Sequence, residues 1–225
     1  MKKISFIAVF FFYFFKSYSQ QLKYVIFTNG ADLHSLSYIT SQQIIIKIST
    51  DGKIIEWGID HEPGRYYSQP GRLQKYMGRV DYYENQYDSI LNGKVKSIGI
   101  TSITYYGSTD RNELKGKIKT IGTLFFDYYN DFENESLRGK IKMDGTRDFS
   151  FYSSFENEAY RGKVKSIGGN QITYYSSFDD KMIRGRIKSI GSYNYTWSSS
   201  FERYAGSLKT GRQYQMIDGA NYILW

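Results

Sequence analysis

The chain has 225 residues, no cysteine, and an aromatic load of 23 tyrosines and 15 phenylalanines at a formal charge of +8. With no disulfides available, packing alone must hold the fold, and the length suffices for one domain with its own core. A charge this modest argues against nucleic acid as a partner.

Residues 1–19, MKKISFIAVFFFYFFKSYS, join Lys2 and Lys3 to an apolar run from Ile4 to Phe15, with small residues at Ser17 and Ser19. This is the order of a secretory signal peptide, and the run is shorter than the ~20 apolar residues that span a bilayer. The expectation is export to the periplasm, cell surface or medium. Loss of three lysines leaves the remainder, 20–225, at +5.

Residues 20–76 read as an irregular β start. YVIFTNG and QIIIKISTDGKIIEWG are rich in β-branched residues, and Asp51-Gly52 marks a hairpin. Gly64, Pro70 and Gly71 mark a loop. Residues 77–90 contain a shortened unit, MGRVDYYENQYDS.

From 91 to 205 the chain repeats itself every 23 residues without insertion or deletion, in five copies beginning at Leu91, Leu114, Leu137, Tyr160 and Ile183. A fixed period of this size signals a repeat architecture. Glycines recur at Gly93, Gly116, Gly139, Gly162 and Gly185, and again at Gly99, Gly122, Gly145, Gly168 and Gly191. An aromatic column runs through Tyr105, Tyr128, Phe151, Tyr174 and Trp197, and a lysine column through Lys96, Lys119, Lys142, Lys165 and Lys188. Residues 206–225 form a C-terminal cap, and AGSLKTG (Ala205–Gly211) opens a sixth copy.

Within a unit the period is two, so each unit predicts two antiparallel strands. Leu91, Gly93, Val95 and Ser97 alternate with Asn92, Lys94 and Lys96; Ile103, Tyr105, Gly107 and Thr109 alternate with Thr104, Tyr106, Ser108 and Asp110. Parity then sets Lys96 opposite Tyr106, with a three-residue loop at 100–102. It also sets Gly93 opposite position 109, and Tyr106 opposite Lys117. Positions 103, 105 and 109 should be buried, the last being phenylalanine in the other copies (Phe132, Phe155, Phe178, Phe201). Positions 94, 96 and 106 should be exposed. The expected fold is therefore all-β, an antiparallel meander of 23-residue hairpins. With no helix to cover its apolar face, it should roll into a barrel-like or curled sheet.

The unit GKIKSIG…YYSSFENE resembles MORN-type repeats, which are also short, hairpin-forming and rich in glycine and tyrosine. It is similar as well to the tyrosine–aspartate repeats of the Rhs family. The likeness covers about 120 residues. MORN repeats imply scaffold or membrane-associated roles, tyrosine–aspartate repeats a shell around secreted cargo. Neither implies catalytic residues.

The two histidines, His34 and His61, fall outside the array, and His61 reads as a solvated turn residue. No nucleophile elbow, phosphate loop, zinc spacing or dinucleotide fingerprint occurs, so no enzyme and no cofactor is expected. Asp144-Gly145-Thr146 and the acidic loops ENES, ENEA and DDKM read as turn chemistry paired with Arg138, Arg161 and Arg184 rather than calcium ligands. The expected function is that of an exported binding or surface module. Its candidate binding residues are Lys96, Lys119, Lys142, Lys165 and Lys188 with Tyr106, Tyr129, Tyr152 and Tyr175. Candidate partners are an anionic polysaccharide, lipid head groups or another envelope protein. An outer-membrane β-barrel is the alternative.

Overall fold

The structure, a computed structural model, describes residues 20–60, 71–84, 88–145 and 147–225. The signal-like stretch, His61 and the loop bearing Gly64 and Pro70 lie outside the described residues. The opening strands are β1 (Gln21–Thr28), β2 (Asp32–Ile39), β3 (Ile44–Ile48) and β4 (Ile54–Asp60), followed by β5 (Leu73–Lys75) and β6 (Val80–Tyr82). Next come hairpin pairs: β7 (Val95–Ile98) with β8 (Thr101–Tyr105), and β9 (Ile118–Ile121) with β10 (Leu124–Tyr128). They continue with β11 (Ile141–Asp144) and β12 (Arg147–Phe151), then β13 (Val164–Ile167) and β14 (Asn170–Tyr174). The chain closes with β15 (Ile187–Ile190), β16 (Tyr193–Asn194), β17 (Thr196–Trp197), β18 (Leu208–Thr210), β19 (Tyr214–Ile217) and β20 (Ala220–Leu224).

These strands form two large sheets. One has eleven strands in strict sequence order, β6 to β16; the other has seven, ordered β19-β20-β1-β2-β3-β4-β5. Strands β17 and β18 pair separately. Neighbours are antiparallel except β1 and β20, which run parallel. The chain is all-β, as expected, but the sheet does not close into a barrel. Both large sheets end in free edges, and the eleven-stranded sheet is covered by the second sheet instead of closing on itself. The reason lies in residues 20–60 and 214–224: their own strands supply the cover for which no helix was available.

The two sheets share one core. Val25, Phe27, Leu36, Tyr38, Ile46 and Ile48 of the covering sheet join the buried Ile98, Ile103, Ile121, Phe126 and their equivalents in one cluster. Tyr38 meets Phe126 edge to face at 5.2 Å between ring centroids. A second, smaller cluster of Tyr24, Ile26, Ile45 and Ile223 lies on the other face of the covering sheet.

The hairpins depart from the parity reading in a specific way. Ser97 pairs with Ser102 and Ile98 with Thr101, leaving a two-residue turn at Gly99-Ile100 rather than three residues. Gly99 has φ 58° and Ile100 does not have a positive φ. That is the type II′ pattern, whose first central residue favours glycine. Between units a bulge intervenes: Thr104 faces Thr120, but Tyr105 faces Ile118. The bulge turns two consecutive residues, Lys119 and Thr120, away from the core, so Ile118 and Ile121 can both point inward. Strict alternation therefore failed at Ser97, which sits on the outer side of β7.

The bulges also help to attach the cover. A bulge leaves a strand amide outside its ladder. The Ile118 amide donates to the Gly52 carbonyl, Ile141 to Thr50 and Ile187 to Gly30, at 2.7–2.9 Å. The hairpin turns of the covering sheet thus grip the repeat strands at their starts. At the opposite end, Gln20 accepts from the Thr123 amide and Gln42 from the Ile100 amide, next to the glycine turns.

Candidate functional site

The outer surface of the repeat sheet is built from the residues that the bulges expel. The columns at Thr104–Thr120, Ser150–Ser166 and Thr173–Ser189 join by hydroxyl–hydroxyl hydrogen bonds of 2.6–2.7 Å. Beside them stand Lys96, Lys119, Lys142, Lys165 and Lys188. Each ammonium lies over the second tyrosine of the preceding unit, at 5.9 Å from the Tyr83 ring and 5.3, 5.4, 5.3 and 5.8 Å from Tyr106, Tyr129, Tyr152 and Tyr175. Lys142 pairs with Glu133 and Lys165 with Glu156. Among the described residues Lys96, Lys119 and Lys188 have no carboxylate partner. The five lysines are half-buried or exposed and stand clear of the core.

The tyrosines are not where the alternation placed them. Tyr106 and Tyr152 are buried, and Tyr129 and Tyr175 are packed against the core. Each hydroxyl reaches into the sheet and donates to the backbone carbonyl 20 residues onward: Phe126, Phe149, Ile172 and Tyr195 respectively, at 2.8–3.1 Å. Tyr83 of the shortened unit does the same to Ile103. The chain leaves the strand after position 105, so the next side chain no longer obeys the strand's alternation. These rings are structural latches whose faces support the lysines; they are not an exposed binding surface.

The first aromatic of each pair is buried as expected, at Tyr105, Tyr128, Phe151, Tyr174 and Trp197. It carries a second cation column, Lys94, Lys117, Lys140, Lys163 and Arg186, at 4.7–5.8 Å from the ring centroids. This column belongs to the seam with the cover. Lys117 donates to the Asp51 carbonyl, Lys163 pairs with Asp32, and Arg186 donates to the Asn29 carbonyl. Burial lowers the pKa of Lys117 and Lys140. Position 94 is therefore only partly exposed, in keeping with its role at the seam.

The largest departure concerns position 109 and its equivalents. Phe132, Phe155, Phe178 and Phe201, expected in the core, are 92–95% exposed. Each occupies a turn in the loop between units, such as Asn130–Glu133, where the Glu133 amide donates to the Asn130 carbonyl. The strand ends before this position is reached, and Gly93 has no atom near enough to cover it. The loops are nevertheless tied to one another. Asn134 accepts from the Ser154 amide, Asn157 from the Ser177 amide and Asp180 from the Ser200 amide, at 2.9–3.0 Å. These are the residues of the ENES, ENEA and DDKM loops, and their work is indeed turn capping. Among the described residues Arg138, Arg161 and Arg184 form no ion pair with those carboxylates, however: Arg138 and Arg184 donate to the Glu133 and Asp179 carbonyls.

One position breaks the regularity of the core. Asp144 stands in the column otherwise filled by Ile98, Ile121, Ile167 and Ile190, and it is 3% exposed. It accepts from the Tyr38 hydroxyl of the covering sheet at 2.5 Å and pairs with Arg147 at 3.3 Å. Burial raises its pKa to about 6, against the lowering effect of Arg147 and the Tyr38 hydrogen bond. The pair lines an open cavity of about 490 Å³ together with Gln20, Thr123, Asp218 and Gly219. The sequence had shown Asp144 as part of a turn; the column break from isoleucine was the signal that could have found it. His34 lies exposed in β2.

Set against protein-family models, curated proteins and solved structures, the chain matches none.

Proposed function

We propose that the chain is an exported, non-enzymatic repeat module that binds an anionic polymer across the outer face of its repeat sheet. The observation that carries this reading is the lysine column Lys96, Lys119, Lys142, Lys165 and Lys188. One ammonium recurs every second strand, so equivalent charges are roughly 9.5 Å apart. Each is held over a latched ring. A row of weak, regularly spaced cationic contacts suits a repetitive anion, because each further unit engages at high effective concentration. The likeness of the units to MORN-type repeats, with their scaffold and surface roles, agrees with this placement, as does the signal-like residue order of 1–19. The correction to the tyrosines narrows the site to the lysines.

The test is retention on immobilised dextran sulfate at low and high salt. The protein should be retained at low salt and released as salt screens the contacts. The variant with Lys96, Lys119, Lys142, Lys165 and Lys188 all replaced by glutamine should elute early while keeping its fold. Equal retention of both proteins would leave the lysines with a solubility role alone.

A further inference from the structure

The four exposed phenylalanines have no role in the fold. Phe132, Phe155, Phe178 and Phe201 touch little of the protein, yet one stands at the same place in each of four consecutive units. Isolated exposed apolar residues are ordinary, but a regular row of nearly naked rings is not. The loops that bear them are also not loose. Ser154, Ser177 and Ser200 immediately precede three of the rings, and each is fastened by its amide to the previous unit, with Asn134, Asn157 and Asp180 as acceptors. Side-chain bonds from Asn134 to Ser154 and from Asn157 to Ser177 double the tie. The rings are therefore presented on a cross-linked ladder whose step is one unit, two strand spacings or roughly 9.5 Å.

The lysine column has the same step and lies alongside. Glu133 follows Phe132 and pairs with Lys142; Glu156 follows Phe155 and pairs with Lys165. A ring loop and a column ammonium are thus linked at these two consecutive steps, whereas Glu202, after Phe201, pairs with Lys209 outside the column. A flat apolar ring on a fixed support is a stacking platform for another flat apolar face, and a pyranose ring presents such a face through its axial C–H groups. An extended polysaccharide advances by about the length of this step for every two sugars. We infer that the phenylalanine ladder stacks against one sugar of each disaccharide in an extended acidic polysaccharide that carries one carboxylate per disaccharide, the carboxylate meeting the lysine column. This rests on the polyanion reading and specifies its ligand: a polymer alternating a uronic acid with a neutral sugar. Preorganisation by the loop ties lowers the ordering cost of binding.

Hyaluronan, which alternates a uronic acid with an N-acetylhexosamine, is the probe. The full chain should be retained on immobilised hyaluronan, and affinity for its oligosaccharides should rise with each added disaccharide up to four. The variant Phe132→Ser, Phe155→Ser, Phe178→Ser, Phe201→Ser should keep the wild-type circular dichroism spectrum and melting temperature and lose roughly tenfold or more in affinity. Unchanged affinity of that variant would overturn the ladder. Binding to dextran sulfate through the lysines, with none to hyaluronan, would overturn the ladder and leave the polyanion reading standing. Hyaluronan binding that depends on the phenylalanines but not on the lysines would overturn the polyanion reading and, with it, the pairing of the carboxylate with the lysine column. Retention on neither polymer would overturn both.

Discussion

Asp144 makes the residue scale concrete, because its four counterparts in the array are isoleucines that fill the core without polar cost. A carboxyl in that column must be desolvated, and its pKa of about 6 says that the folded chain holds the proton more tightly than an unfolded one would. The sign follows from linkage: where the native state binds the proton more strongly, stability falls as pH rises. The window runs from the unfolded value near 4 to the folded value of about 6, and the whole effect is on the order of 3 kcal/mol. Urea midpoints of the wild type and Asp144→Asn should therefore diverge, with the wild type losing ground between pH 4 and pH 6 and the gap constant above pH 7. A pH-independent gap would remove the buried-proton account. Asp144→Ala alone should destabilise by about 1–3 kcal/mol, since it strands the Tyr38 hydroxyl in the core. The triple change Tyr38→Phe, Asp144→Ile, Arg147→Asn, which copies the neighbouring Ile167 and Asn170 arrangement, should instead be neutral or stabilising.

Within a hairpin, the glycines and the second tyrosine do the specific work. Gly93 has φ 74° with no atom within 4 Å of an added Cβ, so Gly93→Ala should cost only the left-handed backbone, about 1–2 kcal/mol. Gly30 has a similar φ of 56°, but its Cβ would meet the Trp197 ring 2.0 Å away. Gly30→Ala should therefore lower the melting temperature by clearly more than Gly93→Ala. Tyr152→Phe removes the donor to the buried Ile172 carbonyl and should cost about 1–3 kcal/mol. The strand content of these units and the burial of Ile103 and Tyr105 were legible from a period of two and from β-branched and aromatic enrichment. The bulge was not, because inserting one residue leaves the composition of the strand unchanged while reversing the face of everything beyond it. That single shift explains why Ser97 faces outward. The loss of strand geometry after position 105 explains why Tyr106 faces inward and Phe132 stands in solvent.

Across the whole molecule, the covering sheet decides what the array can be. Residues 20–60 read only as an irregular β start, since nothing in their alternation names the sheet they lie on. The structure shows both their faces in use. Without that cover the inner isoleucines and aromatics of the array would face water, so a chain beginning at residue 77 should bind a hydrophobic dye and melt without a cooperative transition. A cooperative melt from that fragment would show that the array sustains itself. Attachment is also unit-specific. The Thr50 and Gly52 carbonyls hold Ile141 and Ile118, and the Gly30 carbonyl holds Ile187. In an open solenoid every repeat meets only its neighbours, and copies can be gained or lost by unequal recombination. Here the cover works as a caliper with jaws at fixed separation. A duplicated unit spliced between β11 and β13 would carry Lys163 and Ile187 out of reach of Asp32 and Gly30, so the number of hairpins is a dimension of this protein that drift in repeat number could not change piecemeal.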